Sequence, residues 1–163
     1  GAAAVFHALR RPELFGAAFA HAGAFHAARR EGDPYAAERG SRDLLMPDVA
    51  AHEAVWGKTG SRVRHDYDPI GVVERFTRTG EPAPRLYLDV GTGDYDRVVD
   101  TVRDFHGILT GSGVPHEYRE VPGGHTWDYV SAALPGALEF LERSLGEGLQ
   151  SAGELLAAGG RGG

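Results

Sequence analysis

Two ionisable residues of this chain follow directly on glycine turns that close short, largely apolar or alternating runs. Leu86-Tyr87-Leu88-Asp89-Val90 leads into Gly91-Thr92-Gly93-Asp94, and His116-Glu117-Tyr118-Arg119-Glu120-Val121 leads into Pro122-Gly123-Gly124-His125. A carboxylate beside an imidazole has a definite chemistry. It accepts a hydrogen bond from one ring nitrogen, fixing the tautomer and stabilising the imidazolium, and leaves the other nitrogen to act as a general base. Asp94 and His125 are therefore candidates for two members of an acid–base–nucleophile set. Each has a plainer reading too: an Asp after a glycine turn often caps the next helix, and a His after Gly-Gly is often only a turn residue.

The elements that must position them can be read from periodicity. Arg85–Val90 reads as a strand. Asp96–Thr110 carries Val98, Val102, Phe105 and Leu109 on one helical face and is stopped by Gly111 and Gly113, and His116–Val121 reads as a second strand. Such a strand–helix–strand unit makes a parallel pair with a right-handed crossover. Neighbouring strands about 4.8 Å apart put their following loops, with Asp94 and His125, within mutual reach. Upstream, Ala2–Leu9 reads as a small-residue helix with Ala4, Val5, Ala8 and Leu9 inward, and Phe15–Gly23 holds a short buried strand. Residues 26–80, broken by Gly32-Asp33-Pro34, Met46-Pro47 and Asp66-Tyr67-Asp68-Pro69, read as an excursion over the sheet edge. A last helix is expected from about Thr126 to Leu145 with Leu134, Leu138 and Leu141 as its apolar stripe, followed by a disordered Gly/Ala-rich tail over 146–163. The fold class is α/β, with a mostly parallel sheet flanked by helices.

Composition narrows the function classes. At 163 residues and 42% hydrophobic the chain can bury a core, and seventeen basic against twenty-three acidic residues give a net charge of −6, which argues against nucleic-acid binding. No apolar run approaches the ~18–20 residues of a membrane span, and the lack of cysteine excludes disulfides and thiolate metal sites. Other motifs fail on single residues. Gly91-x-Gly93 has Asp96 where a dinucleotide fingerprint needs its third glycine. His52-Glu53 has Trp56 where a zinc-binding helix needs a second histidine, and Asp66 and Asp68 share no calcium loop. No cofactor and no metal are expected. His21 and His26, after the first strand, read as structural histidines near the cleft. Trp127 and Tyr129 read as core anchors or pocket walls, and Trp56 is a further candidate wall.

No nucleophile accompanies Asp94 and His125. Ser41, Ser61, Ser112, Ser131, Ser144 and Ser151 all lack a Gly-x-Ser-x-Gly setting, and Ser112, between Gly111 and Gly113, stands at a helix exit. A nucleophile elbow places its serine on a sharp turn just before a tightly packed helix, with the acid and then the histidine later in the chain. The chain opens with such a helix and continues in that order, so the serine is expected just upstream of Gly1.

Gly1-Ala2-Ala3-Ala4-Val5-Phe6-His7-Ala8-Leu9-Arg10-Arg11-Pro12-Glu13-Leu14-Phe15 resembles the segment after the nucleophile in the esterase family of α/β-hydrolases that includes enterochelin, feruloyl and acetyl-xylan esterases and mycolyltransferases. Leu86–Asp94 resembles that family's strand and Gly-x-x-Asp acid loop, and Gly113–Trp127 resembles its strand and Gly-Gly-His-x-Trp loop. The resemblance spans residues 1–142 and is weakest between 26 and 80. It implies the C-terminal portion of an α/β-hydrolase, with Asp94 as triad acid, His125 as base, a serine about three residues before Gly1, no cofactor, and a small-molecule ester as substrate. The oxyanion-hole donors are not in the chain, and Ala22 stands where the family commonly has serine. By itself this stretch is then expected to be inactive. The alternatives are acyl transfer by the same triad and a non-catalytic binding module of hydrolase shape.

Overall fold

The computed structural model describes residues 1–25, 49–58 and 60–159. His26, Ser41 and the breaks at 32–34 and 46–47 lie outside the described residues, as do 160–163 of the tail. The elements are α1 (Ala2–Arg10), β1 (Ala17–His21), α2 (Val49–Trp56), α3 (Arg62–Asp66), α4 (Pro69–Thr79), β2 (Arg85–Gly91), α5 (Asp96–Gly111), β3 (His116–Val121) and α6 (Trp127–Gly159). Among the described residues the three strands form one parallel sheet in the order β1-β2-β3, with His21 in register with Asp89, and Gly91 with Val121. The carboxyl ends of all three strands therefore share one edge.

Side-chain alternation along the strands sorts two layers. Ala18, Ala20, Leu86, Leu88 and Val90 face the main core, where Val5, Ala8 and Leu9 of α1, Val73 and Phe76 of α4, and Val98, Val102, Phe105 and Leu109 of α5 pack against them. Phe25 stacks on Phe105 at 4.2 Å. On the opposite face, Ala17, Phe19 and Tyr87 meet Ala137, Phe140 and Leu141 of α6. The α5 face matches the periodic expectation. In α1, Ala4 is exposed, whereas Phe6 is buried and stacks on Tyr67.

Three expectations need correction. Residues 69–79 are no excursion: α4 buries Val73 and Phe76 in the main core. The buried row of α6 is Tyr129, Ala137, Phe140 and Ser144, while Leu138 is 52% exposed. Size decides this, because α6 passes so near the sheet that a Cβ on Gly136 would lie 3.2 Å from the Tyr87 hydroxyl and 3.1 Å from Arg119 Nη1. The small Gly136 and Ala137 fit at that closest approach, while Leu141 of the expected stripe packs, partly buried, against the same cluster. Finally, the backbone is helical past Leu145 to Gly159, where Ala, Leu, Glu and Gln between the glycines are good helix formers. Arg85, at the start of β2, pairs with Glu147, so α6 runs from the carboxyl edge of the sheet to its amino edge.

Outside the core, α5 is tied to β3 by a charged network. Arg103 donates to both Glu120 oxygens at 2.8 and 2.7 Å, and the Tyr118 hydroxyl donates to Glu120 Oε1 at 2.6 Å. The hydrogen bonds from Arg103 and then Tyr118 hold the Glu120 carboxyl down at about 2. A depressed acid stabilises the fold above its unfolded pKa of ~4.3 and loses that contribution as pH falls toward its folded value. Urea denaturation of Glu120→Gln should therefore show a deficit against the unsubstituted chain at pH 7 that shrinks steadily between pH 4.5 and pH 2. A deficit independent of pH would contradict the network. In the core, Phe105→Ala should cost about 3–5 kcal/mol in the same measurement, because Phe105 is fully buried and stacked.

Candidate active site

Two loops at the carboxyl edge carry the sequence candidates, one between β2 and α5 and the other between β3 and α6. Their backbones run directly against one another: Thr92 N donates to Val121 O and Gly93 N to Gly123 O, each at 2.8 Å. Glycine is required at the crossing. A Cβ on Gly91 would lie 2.3 Å from Gly123 O, and Gly123 has φ +145°, a conformation that side chains rarely adopt. The close approach brings Asp94 and His125 together, with His125 Nδ1 at 3.1 and 3.0 Å from the two Asp94 oxygens.

The pair is asymmetric. The Asp94 side chain is fully buried and that of His125 is half exposed. A carboxylate out of water needs donors, and Asp94 has two: the imidazole and Tyr95 N, at 2.7 Å. Because Nδ1 faces an acceptor, its hydrogen is placed there, which leaves Nε2 free to exchange a proton. Asp94 does not cap α5 in the ordinary way. The N-cap is Tyr95, with no side-chain cap bond, and Asp94 bonds only the N–H of that N-cap residue. On the histidine side, Thr126 Oγ1 accepts from Tyr129 N at 3.3 Å, so Thr126 starts α6 immediately after His125.

The remaining candidates fall elsewhere. The His21 side chain is only 10% exposed and is held by Asp89, its Nδ1 at 2.7 and 2.8 Å from the carboxylate oxygens, as expected of a structural histidine. Tyr129 is a core anchor, 3% exposed, but Trp127 is 83% exposed and anchors nothing. Ser112 is the C-cap of α5, ahead of Gly113 at φ +67°. Trp56 packs edge-on against Tyr67, which stacks on Phe6 of α1. Asp66 pairs with Arg62 and His65. Ala22, after β1, has φ +48° and its N–H donates to Asp89 O.

Two residues escape the sequence reading. Tyr95 is 54% exposed, with its ring 5.8 Å from that of His125; nothing in its type or spacing marks it. Asp89 is fully buried, bonded by His21 and by the Tyr129 hydroxyl. Its signal was present, since a lone acid inside Leu86–Val90 must either find donors or break the strand.

The family described as "Putative esterase" matches residues 1–141. The chain belongs to this family. An acetyl esterase of Caldicellulosiruptor saccharolyticus is 26% identical over 92 residues, covering 56% of the chain and 34% of that protein. Among solved structures, the fluorophosphonate-binding serine hydrolase FphF of Staphylococcus aureus aligns with a TM-score of 0.64 at 21% identity, covering 85% of the chain and 49% of its own. A ferulic acid esterase aligns at 0.59 and 19% identity, over 86% of the chain and 47% of its own. These structures share the fold, that of the α/β-hydrolases. The chain spans about a third of the acetyl esterase and about half of each solved structure.

For this member of the esterase family, the glycine crossing is open to a direct test. Gly91→Ala should lower stability by at least the ~1–3 kcal/mol of an overpacked site, because the nearest atom is backbone. Gly107→Ala meets nothing within 4 Å on the exposed side of α5 and should be neutral or stabilising. Equal urea midpoints for the two variants would show that the loops do not meet as described.

Proposed function

We propose that this chain carries the acid and the base of a serine carboxylic-ester hydrolase, with the nucleophilic serine encoded just upstream of Gly1. The observation that carries the reading is the buried Asp94 carboxylate bonded to Nδ1 of the half-exposed His125. Family membership supports ester chemistry. The position of Gly1 supports an upstream serine: a Cβ there would lie 2.8 Å from His21 O and 3.0 Å from Ala20 Cβ, so α1 starts pressed against the end of β1, at the edge where His125 stands.

In this mechanism the serine hydroxyl oxygen attacks the ester carbonyl carbon while His125 Nε2 takes the hydroxyl proton. Asp94 holds the ring and stabilises the imidazolium. The tetrahedral intermediate collapses as Nε2 returns the proton to the leaving alcohol oxygen, producing an acyl-serine. Water, deprotonated by the same nitrogen, then releases the carboxylic acid. Backbone N–H groups supply the oxyanion contacts. The substrate is a small-molecule ester, in keeping with the acetyl and ferulic acid esterases the chain resembles.

The test uses the gene product that includes the residues before Gly1. It should hydrolyse an activated ester and label with a fluorophosphonate at a serine a few residues upstream of Gly1. His125→Ala should lower kcat about 10⁴-fold, and Asp94→Asn by a similar factor. A residue other than serine at that position, or undiminished labelling of His125→Ala, would overturn the proposal.

A further inference from the structure

Asp94 fixes one side of the His125 ring, but a ring stays over a carboxylate only if its own loop cannot slide. On one side that loop, Pro122–Thr126, is held by Gly91 and Gly93. On the other it rests on Tyr129, whose Cβ and ring would lie 3.1 Å from a Cβ on Gly123. Tyr129 is itself secured: its hydroxyl donates to Asp89 Oδ1, and Asp89 is a fully buried residue of β2 two positions before Gly91. Asp89 is further held by His21 Nδ1 from β1. The contacts close a circuit from Asp89 to Tyr129, to Gly123, to Gly91 and back along β2 to Asp89.

We infer that Tyr129, through its bond to Asp89, is a positioning residue for His125. The inference rests on the esterase reading for its kinetic consequence but not for its geometry. A hydrogen bond to a carboxylate is about twice as strong as one between neutral groups, and breaking it leaves a buried oxygen short of a donor. The Gly123 loop cannot shift toward α6 while the phenol stands there, nor toward β2 while Gly91 does. A tyrosine that merely fastened α6 to the sheet would affect stability alone. One that positions His125 also affects the Nδ1–Asp94 bond and the step in which Nε2 moves the proton.

Tyr129→Phe keeps the ring and removes the bond. In the full gene product it should lower kcat by about 10- to 100-fold, the scale set by misplacing a catalytic group by less than an ångström or so, with KM changed less than twofold. The low-field proton resonance of His125 Nδ1–H, assigned by its loss in Asp94→Asn, should broaden or move upfield. Asp89→Asn, which keeps an acceptor oxygen without its charge, should move both readouts in the same direction. Tyr118→Phe removes a comparable phenol–carboxylate bond from the far side of β3 and should lower the thermal midpoint with kcat intact. A Tyr129→Phe protein with reduced thermal stability but an unchanged low-field resonance would overturn the inference, as would absence of that resonance from the unsubstituted protein. Should the gene product hydrolyse no ester, the esterase reading fails while the resonance still decides the positioning role.

Discussion

Two backbones meet at the carboxyl edge of this sheet with no side chain between them, and the geometry of the candidate site follows from that contact. Gly91 and Gly123 let the β2–α5 and β3–α6 loops exchange main-chain hydrogen bonds at 2.8 Å. Each such bond contributes only about 1 kcal/mol net. Burying a carboxylate costs several kcal/mol when it has no partner. The loops therefore cannot be drawn together by Asp94; they must already fit, and their fit provides the covered place in which Asp94 accepts from Tyr95 N and His125 Nδ1. A larger residue at 91 would separate the loops and strand the carboxylate.

A second histidine–carboxylate pair joins β1 to β2, and it sets the same motif in a different environment. His21 and His125 each present Nδ1 to a fully buried aspartate at about 3 Å or less. They differ in the other nitrogen. Nε2 of His21 is buried and has no partner among the described residues, whereas the His125 ring is half exposed. Asp89 additionally binds the Tyr129 hydroxyl, which burial and that carboxylate together hold well above the ordinary tyrosine range, so it remains a donor. Pairing sets a tautomer; access to the remaining nitrogen decides whether the ring can transfer a proton. His21 is thus a joint between β1 and β2, whereas the His125 ring stands half exposed, as its proposed role requires.

Much of this was legible in the chain because it depends on local rules. Glycine after an apolar run marks a strand end, heptad-like spacing from Val98 to Leu109 marks a helix face, and the order of Asp94 before His125 follows from which loops lie on one edge. What was not legible depends on distance. Leu138 outranks Gly136 in hydrophobicity, yet Leu138 is exposed and Gly136 lies against the sheet, because Tyr87 and Arg119 leave no room there for a side chain. The partners of Asp89 could not be read from Leu86–Val90, because His21 and Tyr129 stand 68 and 40 residues away along the chain. Trp127 could be read from its type as a core anchor or a pocket wall; at the start of α6 it is 83% exposed, which removes the first reading.

Two helix N-termini flank the pair, and their effects oppose each other. The start of α5 lies at Asp94, where the positive end of the helix dipole favours a carboxylate; the start of α6 lies just after His125, where it disfavours a positive ring. Each dipole term is worth about 0.3–1 kcal/mol, against about 1.5–3 kcal/mol for a hydrogen bond to a charged group. When His125 takes a proton in the proposed reaction, the Asp94 bond therefore outweighs the unfavourable dipole of α6.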